Sequence, residues 1–268
     1  MSPARMWYYL ASIPTLLRGV RNWPAVAAAL LGRGPRTPFV VRLRNGCLFK
    51  VTTALDVWII KEVCLDRDYE RDGTTVRPGS TVVDIGAGLG EFCISVAREH
   101  PDARVYAFEP LAESFALLQD NVRLNGLGNL ALFPCAVGAH SRGAVLQAVR
   151  GAPARSSTMT IAGARPDALA RVPSATLGDI FRELDIQRCD FLKLDCEGAE
   201  YEILFGADPA TLERIVHVAM EYHDHVTPSS GADLAGFLRE RGFSVRTVPN
   251  RAYPDRLGLL YATNRPRA

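Results

Sequence analysis

The segment TVVDIGAGLGEFC, residues 81–93, leaves this chain few folds to choose from. An apolar run ends in an acid, three glycines follow at alternate positions, 86, 88 and 90, and an amphipathic pattern begins at once. Glycines at such a place let the backbone turn sharply and approach a ligand closely, because no Cβ stands in the way. A strand that ends in this turn and runs on into a helix is the opening unit of a parallel sheet. In such sheets ligands settle outside the carboxyl ends of the strands, where the strand order reverses.

Downstream the alternation repeats. RVYAFEP reads as a strand and AESFALLQDNVRLNG as a helix ending at Gly126, with LALFPCAV as a third strand. TLGDIFRELDI, AEYEILFGA and ADLAGFLRERG read as helices; DFLKLDC, IVHVAMEYH, FSVRTV and LGLLYATN read as strands. Strands and helices of this length in alternation predict an α/β fold with a mostly parallel, doubly wound sheet covered on both faces. Upstream, FVVRLRNGCLFKV predicts a hairpin turning at Asn45-Gly46, which supplies the positive φ of a tight turn. A helix is expected from about Asp56 to Leu65. Residues 138–175 carry Gly, Pro, Ser and Arg and read as an insertion, in which RGAPARSSTMT is either a substrate lid or a surface excursion.

Residues 4–32 predict one or two helices, with Trp7, Leu10, Ile13, Leu17 and Val20 at helical spacing. Two readings stand: a helical layer packed on the domain, and an amphipathic surface giving residues 1–35 a peripheral membrane contact. No Asp or Glu precedes Asp56, whereas Arg5, Arg18, Arg21, Arg33, Arg36, Arg42 and Arg44 do. MWYYLASIPTLL is broken by Pro14 and no small-residue cleavage pattern follows, so a signal peptide is not expected; an organelle transit peptide is the alternative. No run reaches the ~18–20 apolar residues of a membrane span.

The 268 residues suffice for one large α/β domain or two small ones, and 48% apolar with 22% charged residues is ordinary for a globular protein. The net charge of +2 points to no polyanionic partner. Six cysteines are scattered without a C-x-x-C pair, which argues against a zinc ribbon or a disulfide framework and for a reducing cytoplasm.

A dinucleotide fingerprint would need its third glycine at position 91, which is Glu91. A carboxylate there would repel a pyrophosphate at the helix N-terminus. D-I-G-A-G-L-G resembles instead the first motif of class I S-adenosylmethionine-dependent methyltransferases, whose cofactor carries no phosphate. Glu109 ends the next strand, where an acid can accept hydrogen bonds from ribose hydroxyls.

Farther along, Asp195 ends a strand, Glu197 follows at a helix start, and Glu221 and His223 end the next strand. Asp-x-Glu and Glu-x-His on neighbouring strand ends would converge on one pocket beside the glycine loop. A carboxylate or imidazole there could take the proton of an alcohol as it attacks, for a typical gain of ~10²–10⁴. Structural alternatives exist for each: Asp195 as a helix cap, Glu197, Glu200 and Glu202 as first-turn acids, Lys193 as a buried partner for an acid and His223 as a loop histidine; Lys193 and Tyr69 read as structural or cofactor-adjacent, and Cys196 as a bystander. Asp195, Glu197, Glu221 and His223 also make an oxygen-rich set suited to Mg²⁺ or Mn²⁺, a metal reading that is open but not the favoured one.

FLKLDCEGAEYEIL, with DIGAGLGEF, VYAFEP, NVRLNG and MEYH, resembles the FkbM family of methyltransferases from about Val40 to His223. The resemblance implies a class I methyltransferase fold with a Rossmann-like seven-stranded sheet over residues 76–268. Residues 1–75 would be packed on it. It implies O-methyl transfer from S-adenosylmethionine to a hydroxyl of a sugar or a polyketide-derived product. It places Asp84, Gly86, Ala87, Gly88, Gly90, Glu109 and Pro110 at the cofactor, and Cys135, Ala136 and Val137 beside its adenine. Two other function classes remain. A nucleic-acid methyltransferase would need a basic stripe and stacking aromatics at the pocket, where residues 183–202 are acidic. A non-catalytic cofactor-binding module would not need the four acid and base residues.

Overall fold

Two helices, α1 (Pro3–Gly19) and α2 (Trp23–Leu30), lead into the hairpin of β1 (Phe39–Arg42) and β2 (Leu48–Val51). Its turn holds Gly46 at φ +92°, as the Asn45-Gly46 pair predicts. This is a computed structural model, and it describes residues 3–33, 38–141, 143–147, 169–224, 226–250 and 256–264. Helix α3 (Ala54–Ile60) starts from a capping box between Thr53 and Asp56. Its last turn widens into a π-helical segment, Lys61–Leu65, a change of pitch that apolar periodicity does not resolve.

The alternating part follows: β3 (Thr81–Ile85), α4 (Glu91–Glu99), β4 (Arg104–Phe108), α5 (Ala112–Asn125) and β5 (Leu130–Phe133). LALFPCAV is not one strand. Pro134 has no N–H for the ladder, so pairing stops at Phe133; β6 (Ala136–Val137) joins a separate two-stranded sheet. β7 (Ala144–Gln147) and β8 (Leu169–Val172) pair antiparallel within the expected insertion, and β9 (Ser174–Ala175) is the partner of β6. The candidate lid RGAPARSSTMT, residues 150–160, lies outside the described residues. Then come α6 (Leu177–Glu183), β10 (Cys189–Leu194), α7 (Glu200–Phe205), α8 (Pro209–Glu213), β11 (Ile215–His223), α9 (Gly231–Glu240), β12 (Phe243–Pro249) and β13 (Leu257–Asn264).

The seven-stranded sheet runs β12-β13-β11-β10-β3-β4-β5. β13 runs antiparallel to both β11 and β12, and the other neighbouring pairs of this sheet are parallel. The chain leaves β3 toward one edge and returns to β10 on β3's other side, so the switch point lies between their tips, where Leu194 pairs with Ile85. This is the doubly wound α/β architecture expected from the sequence.

The two-residue period of the strands sorts the core. Val82 and Phe191 face one apolar cluster, Val83 and Leu192 the other. The first cluster runs on through Phe92 and Ile94 to Phe49, Val41, Val26, Val20 and Leu16, so the N-terminal helices and hairpin cover that face of the sheet. Asn121, wholly buried on α5, ties this layer to the glycine loop. Its Oδ1 accepts from the Lys50 N–H at 2.6 Å and its Nδ2 donates to Leu89 O at 2.9 Å.

Candidate active site

The turn after β3 is a backbone construction. Gly86 sits at φ +75°, and a Cβ there would lie 1.8 Å from the carbonyl oxygen of Asp195, so only glycine lets the tips of β3 and β10 come together. Gly88, at φ +55°, donates its N–H to Glu109 Oε2 at 2.9 Å, and Leu111 N–H donates to Oε1 at 2.9 Å. Burial pushes the Glu109 carboxyl up to about 7 against the pull of those two N–H groups. Each of its oxygens keeps a lone pair for a further donor. Gly90 caps α4 and Ala87 is buried under the loop, while Pro110, Cys135, Ala136 and Val137 line the cavity with Gly86, Gly88 and Glu109.

Beneath this loop lies a charge the sequence pointed to without its partner. Lys193 on β10 is fully buried, 3.0 Å from Asp84 Oδ1, and its Nζ donates to Gly86 O at 2.6 Å. Burial alone would lower its pKa; Asp84 first, then Asp195 and Glu91, raise it instead, so the ammonium persists. Asp84 is therefore placed as the counter-ion of Lys193, under the loop and away from the cavity surface. Glu91 opens α4 and is buried, which carries its carboxyl up to about 8 despite the Lys193 charge. Near neutrality it holds a proton, and the charge repulsion expected from it is then absent.

The acids at the tips of β10 and β11 do come together. Asp195, Glu197, Glu221 and His223 line one cavity of about 820 Å³ with the glycine loop and Glu109. Asp195 Oδ2 accepts from the Tyr69 hydroxyl at 2.7 Å. Burial first, then Asp195 and Glu221, keep Tyr69 protonated. Glu197 adopts φ +53°, a backbone region costly for a side chain with a Cβ, followed by Gly198 at φ +113°. Glu200, fully buried, holds this turn by accepting from Cys196 N–H at 2.5 Å and Gly198 N–H at 2.9 Å. Asp195 caps nothing, since the residue at the N-cap of α7 is Ala199.

His223 lies between two carboxylates, Nδ1 3.3 Å from Glu200 Oε1 and Nε2 3.5 Å from Glu197 Oε2. Its burial would lower the imidazole pKa, but Glu200, with Asp195 and Glu221 beyond, lifts it to about 10. His223 is thus a cation near neutrality. Glu221 accepts from Asn250 Nδ2 at 2.7 Å, and burial with the neighbouring Asp195 raises it to about 8.

Among the described residues, one group of three acid and imidazole side chains has ligand atoms all within 4.8 Å of one another, and it is Asp195, Glu200 and His223. The quartet read from the sequence is not that set. Glu200 and Asn121 are the residues whose part at the site sequence reasoning missed. The signal for Glu200 was an acid one residue beyond a glycine-bearing turn, in place to cap its N–H groups. Asn121 opens the NVRLNG motif, but nothing in that motif marks it as buried, since a mid-helix Asn reads as surface.

Leu55, Trp58, Ile59 and Val63 from α3 and the π-helical segment line the same cavity, beside Thr52, Asp56 and Glu62 of that stretch, with Tyr9 of α1 set edge-on to Trp58 at 4.7 Å. A cavity at the switch point, with a glycine turn at one strand tip and a carboxyl at the next, is where open α/β sheets bind nucleotide-like ligands.

Residues 84–245 match the Methyltransferase FkbM domain, and the chain belongs to that family. It is an S-adenosylmethionine-dependent methyltransferase. It is 29% identical over 233 residues to the 31-O-demethyl-FK506 methyltransferase FkbM of Streptomyces tacrolimicus, covering 76% of this chain and 88% of that one. It is 24% identical over 258 residues to Methyltransferase sdnD of Sordaria araneosa, covering 84% and 96%. Among solved structures it is similar to M. jannaschii TYW2 in complex with AdoMet, at 14% identity and TM-score 0.46 over 86% of each chain. The residues present fit the cofactor. Gly88 lines the cavity with room where a Cβ would stand, nothing lying closer to that point than Glu91 Oε2 at 3.5 Å, and the buried Glu109 carboxyl retains acceptor capacity for ribose hydroxyls.

Proposed function

We propose that this enzyme methylates a hydroxyl oxygen on an acceptor with a largely apolar body, of the polyketide-derived kind. The observation behind this reading is the lining of the cavity, which brings the strand-tip acids together with an apolar stretch, Leu55, Trp58, Ile59, Val63 and Tyr9. A bare sugar would leave that stretch unmatched, whereas an aliphatic acceptor would bury surface against it at about 25 cal/mol per Å². The Streptomyces relative is named for O-methylation of FK506, which agrees with this reading.

S-adenosylmethionine, when bound, supplies an electrophilic methyl carbon on a sulfonium. The chain's own residues do the rest. Gly86 and Gly88 shape the cradle and Glu109 orients a ribose. The acceptor's proton goes to Asp195, which lines the cavity, on the carboxylate oxygen that Tyr69 does not hold. The His223 cation offsets the negative charge that would otherwise crowd the β10 and β11 tips. Cavity-held alignment can supply up to ~7–11 kcal/mol, more than the ~10²–10⁴ of a general base, so positioning carries the larger share.

The test is methyl transfer from labelled S-adenosylmethionine to a panel of polyketide-type alcohols, free sugars and glycolipids. A methyl ether formed on the polyketide-type alcohols is the expected product. Methylation confined to sugars, or at carbon or nitrogen, overturns the acceptor reading. Tight cofactor binding with no transfer to any acceptor would make the protein a binding module instead.

A further inference from the structure

We propose that α1 docks this enzyme, lying flat, on an anionic lipid surface. The helix has two unlike faces. Ser12, Leu16 and Val20 point inward and are buried. Tyr8 fixes the same helix to the body through its hydroxyl, which donates to Glu62 and accepts from Lys61 Nζ at 3.2 Å. Met6, Trp7, Leu10, Ile13 and Leu17 recur at three- and four-residue spacing on the outward face, with Trp7 73% and Leu10 54% exposed. A stripe of large apolar side chains on a helix already anchored to the core marks a surface that meets something apolar.

The charge around the stripe selects the occupant. At the end of α1 the backbone of Arg21 donates to Arg42 O at 2.7 Å and that of Arg44 donates to Gly19 O at 2.8 Å. These bonds gather the exposed Arg18, Arg21, Arg42 and Arg44 at one end of the helix. Among the described residues none of the four is in an ion pair, and no acid occurs in the chain before Asp56. An apolar helical face flanked by uncompensated arginines matches the interface of a membrane bearing anionic headgroups. A second copy of the chain would bring the same positive cluster against itself. Docking would also carry the Tyr9 and Trp58 wall of the cavity toward the lipid, where apolar acceptors concentrate; the docking itself does not depend on the acceptor.

The experiment is flotation of the full chain with phosphatidylcholine vesicles, with and without phosphatidylglycerol, at low and high salt. The chain should float with phosphatidylglycerol vesicles at low salt, lose most of that binding at high salt, and blue-shift its tryptophan emission on binding. The double variant Trp7→Glu, Leu10→Glu should abolish flotation, and Arg18→Ala, Arg42→Ala, Arg44→Ala should weaken it about a hundredfold. Unchanged calorimetric binding of S-adenosylmethionine by both variants would show that the fold persists. The proposal fails if the wild-type chain ignores phosphatidylglycerol vesicles at low salt, or if the variants bind as well as it does. It fails equally if the chain is a dimer that Trp7→Glu dissociates.

Discussion

At the tip of β3 the cavity is bounded by backbone: a glycine against a neighbouring carbonyl, and N–H groups aimed at one carboxyl. At the tips of β10 and β11 it is bounded by side chains that compete for protons, with an imidazole set between Glu197 and Glu200 and Glu221 close by. The first rim acts through geometry, which only a residue without a Cβ can satisfy. The second acts through charge, which depends on how much water each group has lost. A substitution at the first rim should therefore remove binding outright. One at the second should shift rates and titrations while the cofactor still binds.

The sharpest break of that comparison is at the glycines. Gly86→Ala places a Cβ 1.8 Å from a backbone oxygen that has no room to retreat, at a positive φ. We expect destabilisation on the order of 3–5 kcal/mol together with loss of cofactor binding, read by calorimetry and thermal melts. Gly88→Val, where a Cβ meets nothing closer than Glu91 at 3.5 Å, should melt only a few degrees lower yet bind no S-adenosylmethionine. Retained affinity in Gly88→Val would detach the loop from the cofactor.

On the other rim, Asp195→Asn should lower kcat by ~10²–10⁴ while the cofactor Kd moves only a fewfold. Asparagine still accepts from Tyr69 but cannot take a proton. Equal losses in turnover and in cofactor affinity would reduce Asp195 to a binding role. A smaller effect is expected from Glu200→Gln. Cys196 and Gly198 donate to different oxygens of Glu200, so the amide can accept from only one of them and the turn is loosened, while His223 loses its nearest negative charge. Its imidazole should then titrate below its value of about 10, visible by NMR, with turnover reduced about tenfold. An unmoved titration would mean that Glu200 does not set the charge of His223.

The same contrast explains what the sequence disclosed. Gly86, Gly88, the Asn45-Gly46 turn and the strand alternation of Val82, Val83, Phe191 and Leu192 are legible because each residue type permits or forbids a local geometry. The break at Pro134 was equally available and went unread. The pairing of Lys193 with Asp84, the neutral Glu91 and the cationic His223 were not legible, because they arise where distant segments meet and exclude water. The π-helical turn after Ile60 is not legible either: it packs against α1 and α4, and its own residue types do not distinguish it from the α-helix before it.

The subtlest expectation concerns pH. Glu91, Glu109 and Glu221 are all raised from 4.5, to about 8, 7 and 8, chiefly by burial. A carboxyl with a raised folded pKa contributes stability that is complete below about 4.5 and lost as pH climbs through its folded value. His223, raised from 6.5 to about 10, adds a term that is full below 6.5 and fades only toward pH 10. The capping aspartates Asp179, Asp208 and Asp233 are lowered by their hydrogen bonds and act in the opposite sense, but only as pH falls below 3.8. The cofactor-free enzyme should therefore melt highest near pH 5 and lose several degrees by pH 8, at ~2–4 °C per kcal/mol for a chain of this size. Glu109→Gln keeps only one of the two N–H bonds, since Gly88 and Leu111 donate to different oxygens, and removes one titrating group, so its melting curve should lie lower but be flatter between pH 5 and 7 by about 2 °C. A wild-type melting temperature that rises from pH 5 to 8 would show that these carboxyls are ionised in the folded chain, and the proton-sharing rim would lose its basis.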